Sequence, residues 1–291
     1  MTLLALNRLM PDENKRIQLK SKGKNLRYYK NFSNSLPVLG LICCLIQLAL
    51  YNMFSIIKKD VRQFFNSLTG YITIILFLVI NGLFLFVLKD SNILDFGYAT
   101  LDKFFELSPW ILLFLVPAIS MRSLSDEFRS GTFEILQTRP LTSWEMVLGK
   151  YIAILLVILF ALIPTLTYVY TIHNLSTADI DSGGIAGSYL GLFFLASVFA
   201  AIALYCSGLT NNPIVAFLLS AFICIVLYFG FNALSKLPGL QGKADYYVEM
   251  LGIDFHYRSI SRGVIDSRDI IYFFSIIYFF LLATVKNLHR K

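Results

Sequence analysis

The side chains best placed to do chemistry in this chain lie between Met121 and Tyr151. There Arg122, Asp126, Glu127, Arg129, Glu134, Arg139, Glu145 and Lys150 interrupt two long apolar runs. Their types do not assemble a catalytic centre. Gly149-Lys150 is followed by Tyr151, and Trp144 stands five positions before Gly149, so a GxxxxGK[ST] phosphate loop is absent. His173, His256 and His289 are far apart and lack an HExxH context, and the adjacent Cys43 and Cys44 lack the spacing of a zinc site. Cys206 and Cys224 fall within apolar runs, as ordinary packing residues. No pair of acids sits deep in an apolar run, as ion-coupled transport would need. Asn81, Thr165, Thr167 and Asn232 read as neutral helix–helix hydrogen-bonding groups. These residues predict no catalytic group, no cofactor and no metal site.

What the charged segment offers instead is a surface that another protein can grip. Phe128, Phe133, Ile135 and Leu136 give it an apolar side. Gly131-Thr132 places a flexible point before a capping-type residue, so a short helix is expected from there to about Thr138, ended by Arg139-Pro140. Thr142 and Glu145 have the spacing of a capping box for the next apolar helix. The expected product is a short amphipathic helix parallel to the membrane, held by a turn at each end. It is either a lever for a soluble subunit or a plain structural hairpin.

The elements that must position this segment are membrane spans. The 291 residues are 57% hydrophobic and 15% charged, with a mean hydropathy of +0.67, which excludes an ordinary soluble domain. Apolar runs long enough for a hydrocarbon core of about 30 Å recur at about 71–88, 105–121, 147–172, 186–209, 213–234 and 270–286. They are continuous rather than alternating, which predicts helices and not a barrel. The fold class expected is an all-α polytopic membrane protein of six transmembrane helices. Phe54, Ile57, Val61, Phe64 and Phe65, with Lys58, Lys59 and Arg62 between them, predict an amphipathic interfacial helix at 53–67 ahead of a six-span domain at 68–291.

Residues 1–52 stand apart. They hold eight Lys/Arg against Asp12 and Glu13, which is six of the seven net positive charges and leaves the remainder nearly neutral. The basic run could bind anionic headgroups or RNA, but a solvated leader is the favoured reading, with no nucleic-acid partner. Residues 36–50 resemble the apolar part of a signal peptide without a clean cleavage site, or a seventh span. Alternatively translation starts at Met53, which is the reading preferred.

With 53–67 placed in the cytoplasm, inner segments carry ten Lys/Arg and outer segments seven, or two once 235–268 is set aside. Both termini are then cytoplasmic, and so is the charged segment. The 173–185 loop, free of Lys and Arg, falls outside, and 235–268 is either short helices dipping into the outer leaflet or a surface loop.

Two motifs carry a resemblance. Glu127-x3-Gly131-Thr132-x-Glu134-x-Leu136, followed by Pro140 and Gly149-Lys150, resembles the cytoplasmic loop of ABC-2 type permeases. Phe255-His256-Tyr257, with Ser261-Arg262-Gly263-Val264-Ile265-Asp266-x-Arg268-Asp269, is similar to that family's outer segment. Over about 53–291 the chain looks most like the gliding-motility-associated permease subunits of Bacteroidetes. The resemblance implies a permease subunit in the bacterial inner membrane that hydrolyses nothing itself. Its partners would be an ATP-binding cassette ATPase, a second permease-like or auxiliary membrane subunit (or a second copy), and the lipid bilayer. It also implies that Arg122, Glu127, Arg129, Gly131, Thr132, Glu134, Leu136 and Pro140 form the surface coupled to that ATPase. A membrane anchor or assembly scaffold without a transported substrate is the alternative.

Overall fold

The computed structural model describes residues 38–88, 101–137, 142–175, 181–237, 245–263 and 266–290. It divides into two units, Met1–Tyr51 and Asn52–Lys291. The basic run Arg8 to Lys30 and the pair Arg139-Pro140 lie outside the described residues. The charged segment and the long apolar runs after it all belong to the second unit. The helices are α1 (Val38–Phe65), α2 (Leu68–Phe86), α3 (Asp102–Ser120), α4 (Arg122–Arg129), α5 (Thr132–Gln137), α6 (Ser143–Leu162) and α7 (Leu166–Leu175). They continue with α8 (Ser182–Leu209), α9 (Pro213–Ile225), α10 (Phe231–Ser235), α11 (Asp245–Glu249), α12 (Ile253–Ile260) and α13 (Ser267–Leu288).

Among the described residues, five helical stretches are long and apolar enough to cross a bilayer: Asp102–Arg129, Ser143–Asn174, Ser182–Leu209, Pro213–Ser235 and Ser267–Leu288. A sixth is counted when Tyr51–Phe65 and Gly70–Phe86, bent by 70°, are taken together. The chain is an all-α, multi-pass membrane protein. Exposed Ile72, Ile75, Leu76 and Val79 on α2, and Ile271, Phe274 and Tyr278 on α13, recur at helical spacing on faces that only lipid or another membrane protein could cover.

The core is organised around α8. Its apolar window is 78% buried, against 28% for Pro213–Ser235, so α8 is the central helix. Its middle alternates Ala with large residues, and Leu195, Val198, Phe199 and Ile202 are all fully buried. Small residues let backbones approach, and packing rather than a hydrophobic drive holds helices together in lipid. Pro164 breaks the third span at the 3₁₀ turn Ile163–Thr165, where no i−4 bond can form. The fifth span carries a π turn at Val226–Gly230.

Several polar residues within the spans pair with one another, although the buried Ser120 hydroxyl has no partner among the described residues. Buried Ser108 donates to Asn81 Oδ1 at 3.3 Å, tying α3 to α2, while Asn81 donates to Phe77 O at 2.8 Å. Thr165 and Tyr189 pair at 3.1 Å between the third and fourth spans. Asn232 departs from the neutral pattern expected of it. Its amide faces the carboxylates of Glu249 (3.4 Å) and Asp254 (3.3 Å).

Those carboxylates belong to the segment before the last span, which forms helices packed on protein rather than a plain loop. In α12, Ile253, Asp254, His256, Tyr257 and Ile260 are all buried. Tyr257 donates to Phe105 O at 2.7 Å, and Ser188 of α8 donates to Ser261 O at 2.8 Å. His256 places Nε2 2.9 Å from Met250 O and Nδ1 2.7 Å from Asp269 Oδ1. A carbonyl can only accept, so Nε2 donates and a single proton joins Nδ1 to the carboxylate.

Docking of this segment needs glycine. A Cβ on Gly191 would lie 2.6 Å from Ile260 Cγ2, and one on Gly187 would lie 3.0 Å from the Gly263 backbone. Gly263 itself has φ +80°. Gly191→Leu is therefore expected to lower the melting midpoint of the purified protein by several degrees, as overpacking costs about 1–3 kcal/mol. Gly183→Ala should melt like the parent, since that Cβ meets only its own helix cap. Equal midpoints for Gly191→Leu and the parent would contradict the close approach.

Candidate coupling site

The charged segment begins as a continuation of the second span. Met121 makes a single turn between α3 and α4, and the stretch Asp102–Arg129 runs for 28 residues. At 1.5 Å per residue that is about 42 Å, longer than the hydrocarbon layer of about 30 Å. This differs from the single short helix expected from about Gly131-Thr132 onward, because a helix already runs over Arg122–Arg129. The residues Arg122 to Arg129 contain no breaker, so the span extends until Ser130-Gly131 stops it. Gly131 turns the chain with φ +68°, and its N–H reaches back to Phe128 O at 3.4 Å. The second short helix, α5, starts at Thr132 as expected. Phe128 and buried Phe133 meet edge-to-face at 4.7 Å and close the corner.

The start of α4 is held from α8. Ser207 Oγ donates to Met121 O at 2.9 Å and accepts from the N–H groups of Leu124 (3.0 Å) and Ser125 (3.1 Å). These are the donors a helix start leaves unpaired, here satisfied by a side chain from a neighbouring span. Asn287 at the end of α13 donates to Gly208 O at 2.8 Å, so the last span joins the same junction. At the entry to the third span Thr142 and Glu145 form the expected capping box, with reciprocal contacts of 3.3 and 3.1 Å.

Four charges lock α4 to its surroundings. Lys150, in the second turn of α6, has a side chain only 1% exposed; its Nζ lies 2.9 Å from Glu127 Oε1 and 3.2 Å from Asp60 Oδ2. It also donates to Ser123 O at 2.7 Å. Lys59 of α1 reaches the same Glu127 Oε1 at 2.8 Å. Two ammonium groups therefore face two carboxylates, which balances the burial of each charge. The helices must come close for this, and Gly149 permits it: a Cβ there would lie 3.1 Å from Ile56 Cγ2. Ile56 is the most buried apolar residue of α1 among those described, whereas Phe54 is exposed. The packed face of α1 thus centres on Ile56 and Asp60, offset from the apolar stripe read from the sequence.

The eight residues that the sequence singles out separate into groups. Arg122, Arg129, Gly131, Thr132 and Glu134 are exposed around the corner. Glu127 is buried, and its Oε1 serves Lys59 and Lys150 rather than an outside partner. Leu136 lies in α5 with its side chain outside the described residues, as is Pro140 altogether. Sequence reasoning misses Lys59, Asp60, Lys150 and Ser207 as site residues. The one signal for them is a lysine directly after a glycine at the head of an apolar helix, which by itself reads as a loop charge. Beside α4 a groove of about 900 Å³ is lined by Arg129, Leu209, Thr210, Asn211, Asn212 and Ile214. It joins the corner to the turn between the fourth and fifth spans.

Removing one member of a buried ion pair strands the other, at a cost of about 3–5 kcal/mol. Lys150→Met should therefore strongly destabilise the purified protein. Lys150→Met combined with Glu127→Gln should cost much less than the two single changes added, a coupling read from unfolding midpoints and slopes. Strict additivity would mean that the pair does not interact.

No curated protein matches this chain. The profile of the family described as ABC-2 family transporter protein matches residues 54–246. That range takes in Lys59, Asp60, Glu127, Lys150 and Ser207, and every helix from the second half of α1 through α10. A match across more than half of the sequence settles membership: this chain belongs to the ABC-2 transporter family.

Proposed function

We propose that the chain is the permease subunit of an ATP-binding cassette transporter, driven by a separate ATPase that docks on the corner between α4 and α5. The observation that carries this reading is the wiring of α4. A push on Arg129 or Glu134 is transmitted through Ser207 to the fourth span, through Lys150 to the third, and through Lys59 to the interfacial helix. A corner anchored at its base and exposed at its tip is a lever. The 900 Å³ groove extends the docking surface to the turn at 209–213.

The excess of Lys and Arg on this side supports a corner in the cytoplasm, at a bacterial inner membrane. Both ends of the 53–291 portion are then cytoplasmic. Exposed apolar faces on α2 and α13 suit a second permease-like subunit or a second copy. The resemblance of 53–291 to gliding-motility-associated permease subunits alone supports a role in gliding motility or related secretion.

Two variants test the coupling. Gly131→Pro disturbs a turn whose φ of +68° proline cannot adopt, and Glu134→Lys reverses an exposed charge. Both should still insert into the membrane, with Gly131→Pro melting lower because of the strained turn, yet both should lose co-purification with the ATPase and its stimulation. Retention of both properties in the two variants would refute the docking site.

A further inference from the structure

A cavity of about 540 Å³ lies against the ion network, within the range of about 300–1,000 Å³ in which proteins hold small molecules. Its lining is graded. Lys59, Arg122 and Lys150 contribute three positive groups, and Asp60, Asp126 and Glu127 three negative ones. Ile72, Ala118, Ile154 and Val157 contribute apolar surface from the spans α2, α3 and α6. A polar region against an apolar one, at the end of membrane-spanning helices, fits an amphiphile with its head at the interface.

The charges narrow the head. A purely anionic head would meet three carboxylates, and a purely cationic head three basic groups. A head with both signs satisfies each. Glu127 Oε2 is buried with no hydrogen-bond partner among the described protein groups, an arrangement that calls for a donor. Lys59 uses one ammonium hydrogen on Glu127 and is 47% exposed, leaving donors for a phosphate.

We infer that this cavity binds a phospholipid with a primary-amine headgroup. The ammonium donates to Glu127 and Asp126, the phosphate accepts from Lys59, and one acyl chain lies along Ala118, Ile154 and Val157. The lipid then braces α4 against α1, α2 and α6 from the bilayer side. This assignment stands independently of the ATPase docking proposed above.

The test is native mass spectrometry of the full-length protein, delipidated in mild detergent and titrated separately with phosphatidylethanolamine, phosphatidylglycerol and phosphatidylcholine. One phosphatidylethanolamine should be retained. Phosphatidylcholine, whose quaternary ammonium has no N–H, should bind about tenfold more weakly. Lys59→Gln and Ala118→Phe should each weaken phosphatidylethanolamine about tenfold. Lys59→Gln alters a half-exposed side chain, so it decides the matter even if Ala118→Phe fails to fold. Equal retention of the three lipids, or unchanged binding by Lys59→Gln, would overturn the site. A preference for phosphatidylglycerol would overturn the amine head.

Discussion

Lys150 is the constraint on which the charged end of this molecule depends. An ammonium group cannot be left bare inside a packed helical junction, so its burial dictates what surrounds it. Glu127 must come from α4, Asp60 from α1, and a backbone carbonyl from Ser123. These demands fix the helical extension of the second span, the path of the second half of α1, and the glycine at 149 that lets α1 and α6 touch. A methionine at 150 would fill much of the same volume but impose none of those relations.

The two ends of the bundle solve the same problem with different groups. At the end that carries the charged segment, ion pairs and the Ser207 hydroxyl fasten α4 to α1, α6 and α8. At the opposite end, His256, Asp254, Asn232 and Tyr257 fasten the α12 segment to the fifth span, the last span and the start of the second. Between them the fourth span carries no charged side chain, and its small residues alternate with large ones such as Phe193, Phe194 and Phe199. Charged groups gather at the ends, while the middle is joined by a few neutral hydrogen bonds such as Tyr151 to Ser197 O at 3.1 Å and by close apolar packing.

Much of the fold is legible in the sequence because the bilayer enforces it. Long apolar runs have one solution in lipid, a helix with its backbone bonds satisfied internally. The capping box at Thr142 and Glu145 and the helix start at Thr132 are legible too, because both are local. The helical extension from Arg122 to Arg129 is not, since its charges read as a loop when their partners are unknown. Glu127 shows why: an acid in a charged segment looks solvent-facing until Lys59 and Lys150, 68 and 23 residues away in the chain, fold against it. The burial of Asp254 and Asp269 is hidden for the same reason. Pairing across helices leaves no local pattern.

If Lys150 fastens α1 and α4 to the third span as its contacts with Asp60 and Glu127 imply, the three move as one body. Spin labels at Arg62 on α1 and Ser130 at the end of α4, both exposed, measure it directly by electron–electron double resonance in a background with the four native cysteines replaced. One narrow distance distribution is expected in the parent, unchanged when the ATPase and a non-hydrolysable nucleotide are added. The same pair should give a broadened distribution in Lys150→Met. A distribution that is broad in the parent, or indifferent to Lys150→Met, would contradict that claim.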